Sequence, residues 1–131
     1  MDKIKVLYVQ TKRIKKNAKV KTMGDMIEMI APDVYEFIYV YCKNDVMGTV
    51  RELRPEIVFL PNHKSVDALE LIREIKSLYP MTAIFIMLSD MEDDDQEVID
   101  RFHAAGAYKC CFSTLSMDAL VHDMYVALNL E

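Results

Sequence analysis

Two periods alternate along this chain. Ile4 to Val9 is a short, mostly apolar run rich in β-branched residues, which suits a buried strand. A basic stretch follows, and then Met23, Met26, Ile27 and Ile30 recur at helical spacing and predict one buried helix face. Pro32-Asp33 interrupts the chain, and Val34 to Cys42, aromatic and β-branched throughout, reads as a second strand. Val46, Val50 and Leu53 form the stripe of a second helix that Pro55 stops. Ile57 to Leu60 is a third strand. The third helix carries Ala68, Leu71, Ile72, Ile75 and Leu78 inward and ends before Pro80. Ala83 to Leu88 is six apolar residues in a row, a fourth strand. Val98, Ile99 and Phe102 mark a fourth helix, with Gly106 placed to cap its C-terminus in a positive-φ conformation. A fifth strand spans about Tyr108 to Phe112. Ser116 is placed as N-cap of a fifth helix that buries Leu120, Val121, Met124 and Leu128.

Five strands alternating with five helices predict an α/β fold, a single parallel sheet covered by helices on both faces. Right-handed crossovers and five βα units favour the flavodoxin-like strand order 2-1-3-4-5. The chain shows no repeat, low-complexity tract or linker, so 1–131 reads as one domain. A chain of 131 residues buries roughly 65–70% of its unfolded surface. With 52% apolar residues it needs no disulfide or metal for a core. Ten methionines and no tryptophan make that core adaptable. No run of about 18 apolar residues suggests a membrane span. The start, Met1-Asp2-Lys3-Ile4-Lys5, enters a strand directly, and no signal peptide is expected. Cys42, Cys110 and Cys111 are odd in number with no framework spacing, which suits a reducing cytoplasm. The net charge of −5 hides an asymmetry: residues 1–30 hold eight Lys/Arg against three Asp/Glu, residues 31–131 eight against eighteen. Nucleic acid is not an expected partner for the whole surface, although the basic end suits something acidic.

In open α/β sheets the working crevice lies at the carboxyl ends of the strands, near the reversal in strand order. The residues delivered there are Gln10 and Thr11, Pro61 and Asn62, Ser89 and Asp90, and Ser113. The run Pro55 through Leu60, the helix start Asp67 through Arg73, the strand Ile84-Phe85-Ile86-Met87-Leu88-Ser89, Ala105-Gly106-Ala107 and the closing helix together resemble the receiver domain of response regulators over nearly the whole chain. In that family two acids after the first strand and an acceptor aspartate ending the third hold magnesium. A Ser/Thr after the fourth strand and a lysine after the fifth bond the phosphoryl oxygens. The resemblance puts Gln10-Thr11 at the acid pair, Pro61 at the acceptor, Ser113 at the lysine and Cys110 at the aromatic that switches rotamer. Only Ser89 keeps its family type, and the loop after Pro61 is one residue shorter than usual.

Chemistry follows from these departures. Magnesium favours hard oxygen ligands, usually including carboxylates, and Gln10 and Thr11 supply neutral oxygens only. Asp90 alone is a weak site, so no metal or cofactor is expected. Without metal or lysine the charge on a transferring phosphoryl group has little compensation. Pro61 carries no nucleophile and Asn62 cannot replace one, so no aspartyl phosphorylation and no enzymatic turnover are expected here. His63 reads as a solvated loop residue ahead of a phosphorylation site.

Lys12, Arg13, Lys15, Lys16, Lys19 and Lys21 form either a solvated face or an anion patch at a helix N-terminus. Asp90, Glu92, Asp93, Asp94, Asp95 and Glu97 precede the fourth helix, whose positive end favours them. The strand order sends both loops from one sheet edge, where they are expected to attract across the crevice and help shut it, or, alternatively, to pair between two molecules. Exposed pairs contribute only about 0–1 kcal/mol each and weaken in salt. Cys110 and Cys111, as strand neighbours, point to opposite faces and do not suit a redox pair. His63, His103 and His122 show no metal-ligand spacing. The resemblance implies a signalling module that contacts a protein partner or a second copy through the fourth helix, fifth strand and fifth helix, with Tyr108, Cys110, His122 and Tyr125 as candidates. The alternative, from a different class, is a small-ligand or anion sensor using the vacated crevice and the basic loop. A phosphorelay receiver with an unrecognised acceptor is the third reading.

Overall fold

The computed structural model describes residues 3–11, 23–88, 96–112 and 116–128. In chain order these form β1 (Ile4–Gln10), α1 (Met23–Ile30), β2 (Tyr35–Tyr41), α2 (Val46–Leu53) and β3 (Ile57–Pro61), then α3 (Ala68–Leu78), β4 (Ala83–Leu88), α4 (Gln96–Ala105), β5 (Lys109–Phe112) and α5 (Met117–Ala127). All strand pairs are parallel and the sheet order is β2-β1-β3-β4-β5, as the alternation predicts. The reversal after β1 leaves β1 and β3 side by side at the centre, with β4 next, so the ends of these strands define one crevice.

Strand alternation divides the core into two layers. Leu7, Val9, Val58, Leu60, Ile84, Ile86 and Leu88 face α2, α3 and α4, where they meet Val50, Ile72, Ile75 and Phe102. Val6, Ile57, Phe59, Phe85 and Cys111 face α1 and α5 and meet Ile27, Leu120, Val121 and Met124. Because both faces of β3 and β4 are covered, these strands read as unbroken apolar runs. Rings cross this second layer in sequence. Tyr39 lies 5.7 Å from Tyr8, Tyr8 5.7 Å from Phe59, Phe59 5.2 Å from Phe85, and Phe85 5.5 Å from Tyr108. Gly24 is required where α1 crosses β2, since a Cβ there would strike the Tyr39 hydroxyl and the Phe37 ring. The Gly24 amide donates to that same hydroxyl at 3.0 Å.

Ser116 and Gly106 act at the helix ends as expected, and two further caps join them. Ser116 caps α5 by accepting from the Ala119 amide at 3.1 Å. Asp45 and Asp67 do the same for α2 and α3, accepting from Gly48 and Glu70. Gly106 closes α4 with φ +121°, and the Ala107 amide returns to the Phe102 carbonyl at 3.0 Å. A Cβ at Gly106 would also stand 3.0 Å from Lys76 Cγ. Gly106→Ala is therefore expected to lower stability by more than about 1 kcal/mol, read as a shifted urea midpoint at unchanged slope.

Two inward assignments are corrected. Leu78 is 46% exposed, because the last turn of α3 runs past the sheet, and Ile30 at the end of α1 is likewise exposed. Met23, Met26, Leu71, Leu53, Val98, Ile99 and Leu128 are half-buried at the margins of their helix faces. β1 and β5 differ from the expected bounds by a residue at one end and β2 by a residue at each end, and β3 extends one residue further, through Pro61.

Candidate functional site

A proline inside a central strand normally removes a ladder hydrogen bond. β3 tolerates one because of where the missing donor falls. The Asn62 amide donates to the Met87 carbonyl on β4 at 3.0 Å. Alternation then turns the Pro61 nitrogen toward β1. There the paired register ends at Tyr8↔Phe59, whereas the β3–β4 register continues to Pro61↔Met87. Pro61 thus sits where β1 and β3 part. It delivers a half-buried ring to the centre of the carboxyl edge, with no group able to gain or lose a proton.

Gln10 ends β1, and its carbonyl accepts from the Cys42 amide at 2.8 Å. Thr11 follows, and both are half-buried. The structure therefore brings Gln10, Thr11, Pro61 and Asn62 to one edge. These four offer neutral hydrogen-bonding groups and no charge. His63 is exposed, and its Nδ1 accepts the Ser65 amide at 3.0 Å, which holds the turn into α3. Ser89, Asp90, Ser113, the patch residues Lys12, Arg13, Lys15 and Lys16, and the acidic residues 92–95 lie outside the described residues. Glu97 is described and pairs with Arg101 at 3.4 Å in the first turns of α4. Among the described residues no three His, Cys, Asp or Glu side chains gather as a metal site.

One lysine does lie on β5, as its first residue. The Lys109 ammonium is bonded to the Asp123 carboxylate of α5. That hydrogen bond, with the attraction of the carboxylate, holds the Lys109 pKa above its usual value against a smaller opposing effect of burial. The pair joins β5 to α5 across 14 positions, a separation with no local signature in the sequence.

The candidate contact residues divide. Tyr108 is 42% exposed and its ring rests on Phe85. His122 is exposed on α5. Cys110 is half-buried against the layer under α4, while Cys111 is buried in the other layer, so the two thiols point to opposite faces. Burial pushes each thiol up to about 11, which keeps both protonated and unreactive near neutral pH. Tyr125 turns away from this face: its ring lies 5.9 Å from Tyr35 at the start of β2.

Neither a protein-family model nor a curated protein matches the sequence. Solved structures do match it along nearly its whole length. A response regulator from Thermotoga maritima is 19% identical, with 97% of this chain and 98% of that one covered and a TM-score of 0.72. A two-component response regulator from Clostridium difficile is 13% identical over 97% of both chains, with a TM-score of 0.73. An orphan response regulator of H. pylori is 15% identical over 95% of this chain and 96% of that one, with a TM-score of 0.72. No helix among the described residues is long and apolar enough to cross a membrane. At such identities the likeness is one of architecture, and it agrees with the strand order, the central crevice and the helix on each crossover: the chain has the receiver fold of response regulators.

Proposed function

We propose that this chain is a receiver-like module of signal transduction that acts by touching a protein partner or a second copy and accepts no aspartyl phosphate. The observation that carries the reading is Pro61 at the carboxyl end of β3, beside the uncharged pair Gln10 and Thr11. Phosphoryl transfer depends on placed charge: a carboxylate to accept, carboxylates to hold magnesium and a cation to bond the moving oxygens. The described edge supplies none of these, and the lysine of β5 is committed to Asp123 instead. The module is accordingly no enzyme and takes no metal. Its contact face is α4, β5 and α5, where Tyr108 and His122 are exposed and the Lys109–Asp123 pair fixes β5 against α5. A reducing compartment such as the cytoplasm suits its three free cysteines.

The test is an amide spectrum recorded with magnesium and beryllofluoride, which together imitate an aspartyl phosphate. No site-localised shift is expected in the native chain. Pro61→Asp is expected to stay silent too, because Gln10 and Thr11 leave the new carboxylate without metal-holding partners. Saturable shifts confined to the carboxyl edge of the native protein would refute the reading.

A further inference from the structure

A concavity of about 450 Å³ opens at the amino-terminal edge of the sheet, at the opposite pole from the crevice. Three chain segments meet there. They are the end of α2 with Arg54 and Pro55, the end of α3 through Met81 and Thr82, and the end of α5 at Leu128. The wall is mainly apolar. Leu78 is 46% and Met81 84% exposed on it, a costly arrangement for an unoccupied surface. Its size falls in the range of small-molecule sites, roughly 300–1,000 Å³.

The polar groups of the wall decide the ligand. Four carbonyls of the wall already accept: Pro55 O from Thr82 Oγ1, Tyr79 O from the Thr82 amide, and Pro80 O and Thr82 O from Lys76 Nζ. Glu56 Oε2 accepts the Lys5 amide at 2.7 Å, and Glu56 O accepts the Ala83 amide. Arg54 differs. Its backbone, left-handed at φ 47°, caps α2 by donating to Val50 O, and the guanidinium has no hydrogen bond or ion pair among the described residues. The wall thus combines apolar surface, carbonyls that already accept, the Glu56 carboxylate bonded to the Lys5 amide, and the Arg54 guanidinium as its one cation among the described residues. A guanidinium matches a carboxylate with two parallel hydrogen bonds. We infer that this pole is a binding site for a small apolar carboxylic acid, whose hydrocarbon body covers Leu78, Met81 and Leu128 while its carboxylate meets Arg54.

The site is independent of the carboxyl edge, so either reading can fail without the other. The test titrates the labelled full chain with phenylbutyrate and, separately, with phenylbutanol, which has the same body without the charge. Phenylbutyrate is expected to produce saturable shifts at the amides of Leu78, Met81, Thr82 and Leu128, with roughly tenfold tighter binding than the alcohol. Arg54→Gln should bring the acid down to the affinity of the alcohol. Met81→Asp should weaken both ligands and leaves Arg54 in place, should the first variant disturb the α2 cap. No saturable shift at these amides, or equal binding of acid and alcohol by the native chain, would overturn the assignment.

Discussion

Phe59→Ala is expected to lower the stability of the domain by about 4 kcal/mol, the cost typical of emptying a large aromatic site in a core. Phe59 is fully buried at the middle of β3. Its ring is flanked by Tyr8 at 5.7 Å, Phe85 at 5.2 Å and Phe37 at 6.4 Å. The neighbouring strands hold their rings from both sides, so the gap cannot close by a small shift, and the ring pairs themselves each contribute about 0.5–1.5 kcal/mol. Against a total of about 5–15 kcal/mol, the loss removes a large share of the folded-state margin. Urea denaturation followed by far-UV circular dichroism measures it. A loss below about 1.5 kcal/mol would mean that the aromatic layer is not packed as described. Phe59→Leu keeps most of the volume and is expected to cost much less.

The second large effect is alkaline. Cys110 and Cys111 are pushed up to about 11 by burial, from an ordinary value of 9.0. Tyr8 and Tyr35 are also raised by burial, Tyr8 with help from Tyr39 and Tyr35 with help from Tyr125, and Lys109 is raised by its bond to Asp123. Every one of these folded-state values lies above its unfolded counterpart. The native chain therefore keeps protons that the unfolded chain releases, and stability falls as pH rises. The contribution of the thiols is complete below about pH 9 and is lost progressively through about pH 11. After allowance for solvent screening at the half-buried Cys110, the two thiols account for a loss on the order of 3 kcal/mol. Urea midpoints at pH 8 and pH 11, with reductant present, test it. The double variant Cys110→Ala and Cys111→Ala should reduce the dependence between those limits and leave the part due to Tyr8, Tyr35 and Lys109. A profile that is flat in the native protein, or unchanged in the double variant, would show that these thiols are not desolvated.

Most of the architecture was legible because it is periodic. Ala83 to Leu88 reads as a doubly covered strand and is one, and the helix stripes centred on Ile27, Val50, Ile72, Phe102 and Leu120 all face the sheet. Gly106 and Ser116 act through bonds to residues three to five positions away, which a sequence displays directly. Misreadings cluster where an element outruns the sheet. Leu78 keeps its helical phase, but nothing remains beneath it to cover. Pro61 continues β3 because its missing donor faces the side where pairing with β1 has already stopped, a fact of register rather than of propensity. The carboxyl edge was readable as a set of residue types at strand ends. Lys109–Asp123 and the Arg54 pole were not, since each joins segments far apart in the chain. Tyr125 was assigned to the contact face by its helix, yet its ring faces Tyr35 on the far edge of the sheet.

The receiver fold and the chemistry of the crevice pull in different directions. The architecture is that of the solved response regulators, while its described strand ends present Gln10, Thr11, Pro61 and Asn62 where acids would be needed. Incubating the intact chain with magnesium and acetyl phosphate, then weighing it by mass spectrometry, addresses this most directly. An unchanged mass is predicted for the native protein; a stable gain of one phosphoryl group, mapped to a residue at the carboxyl edge, would contradict it.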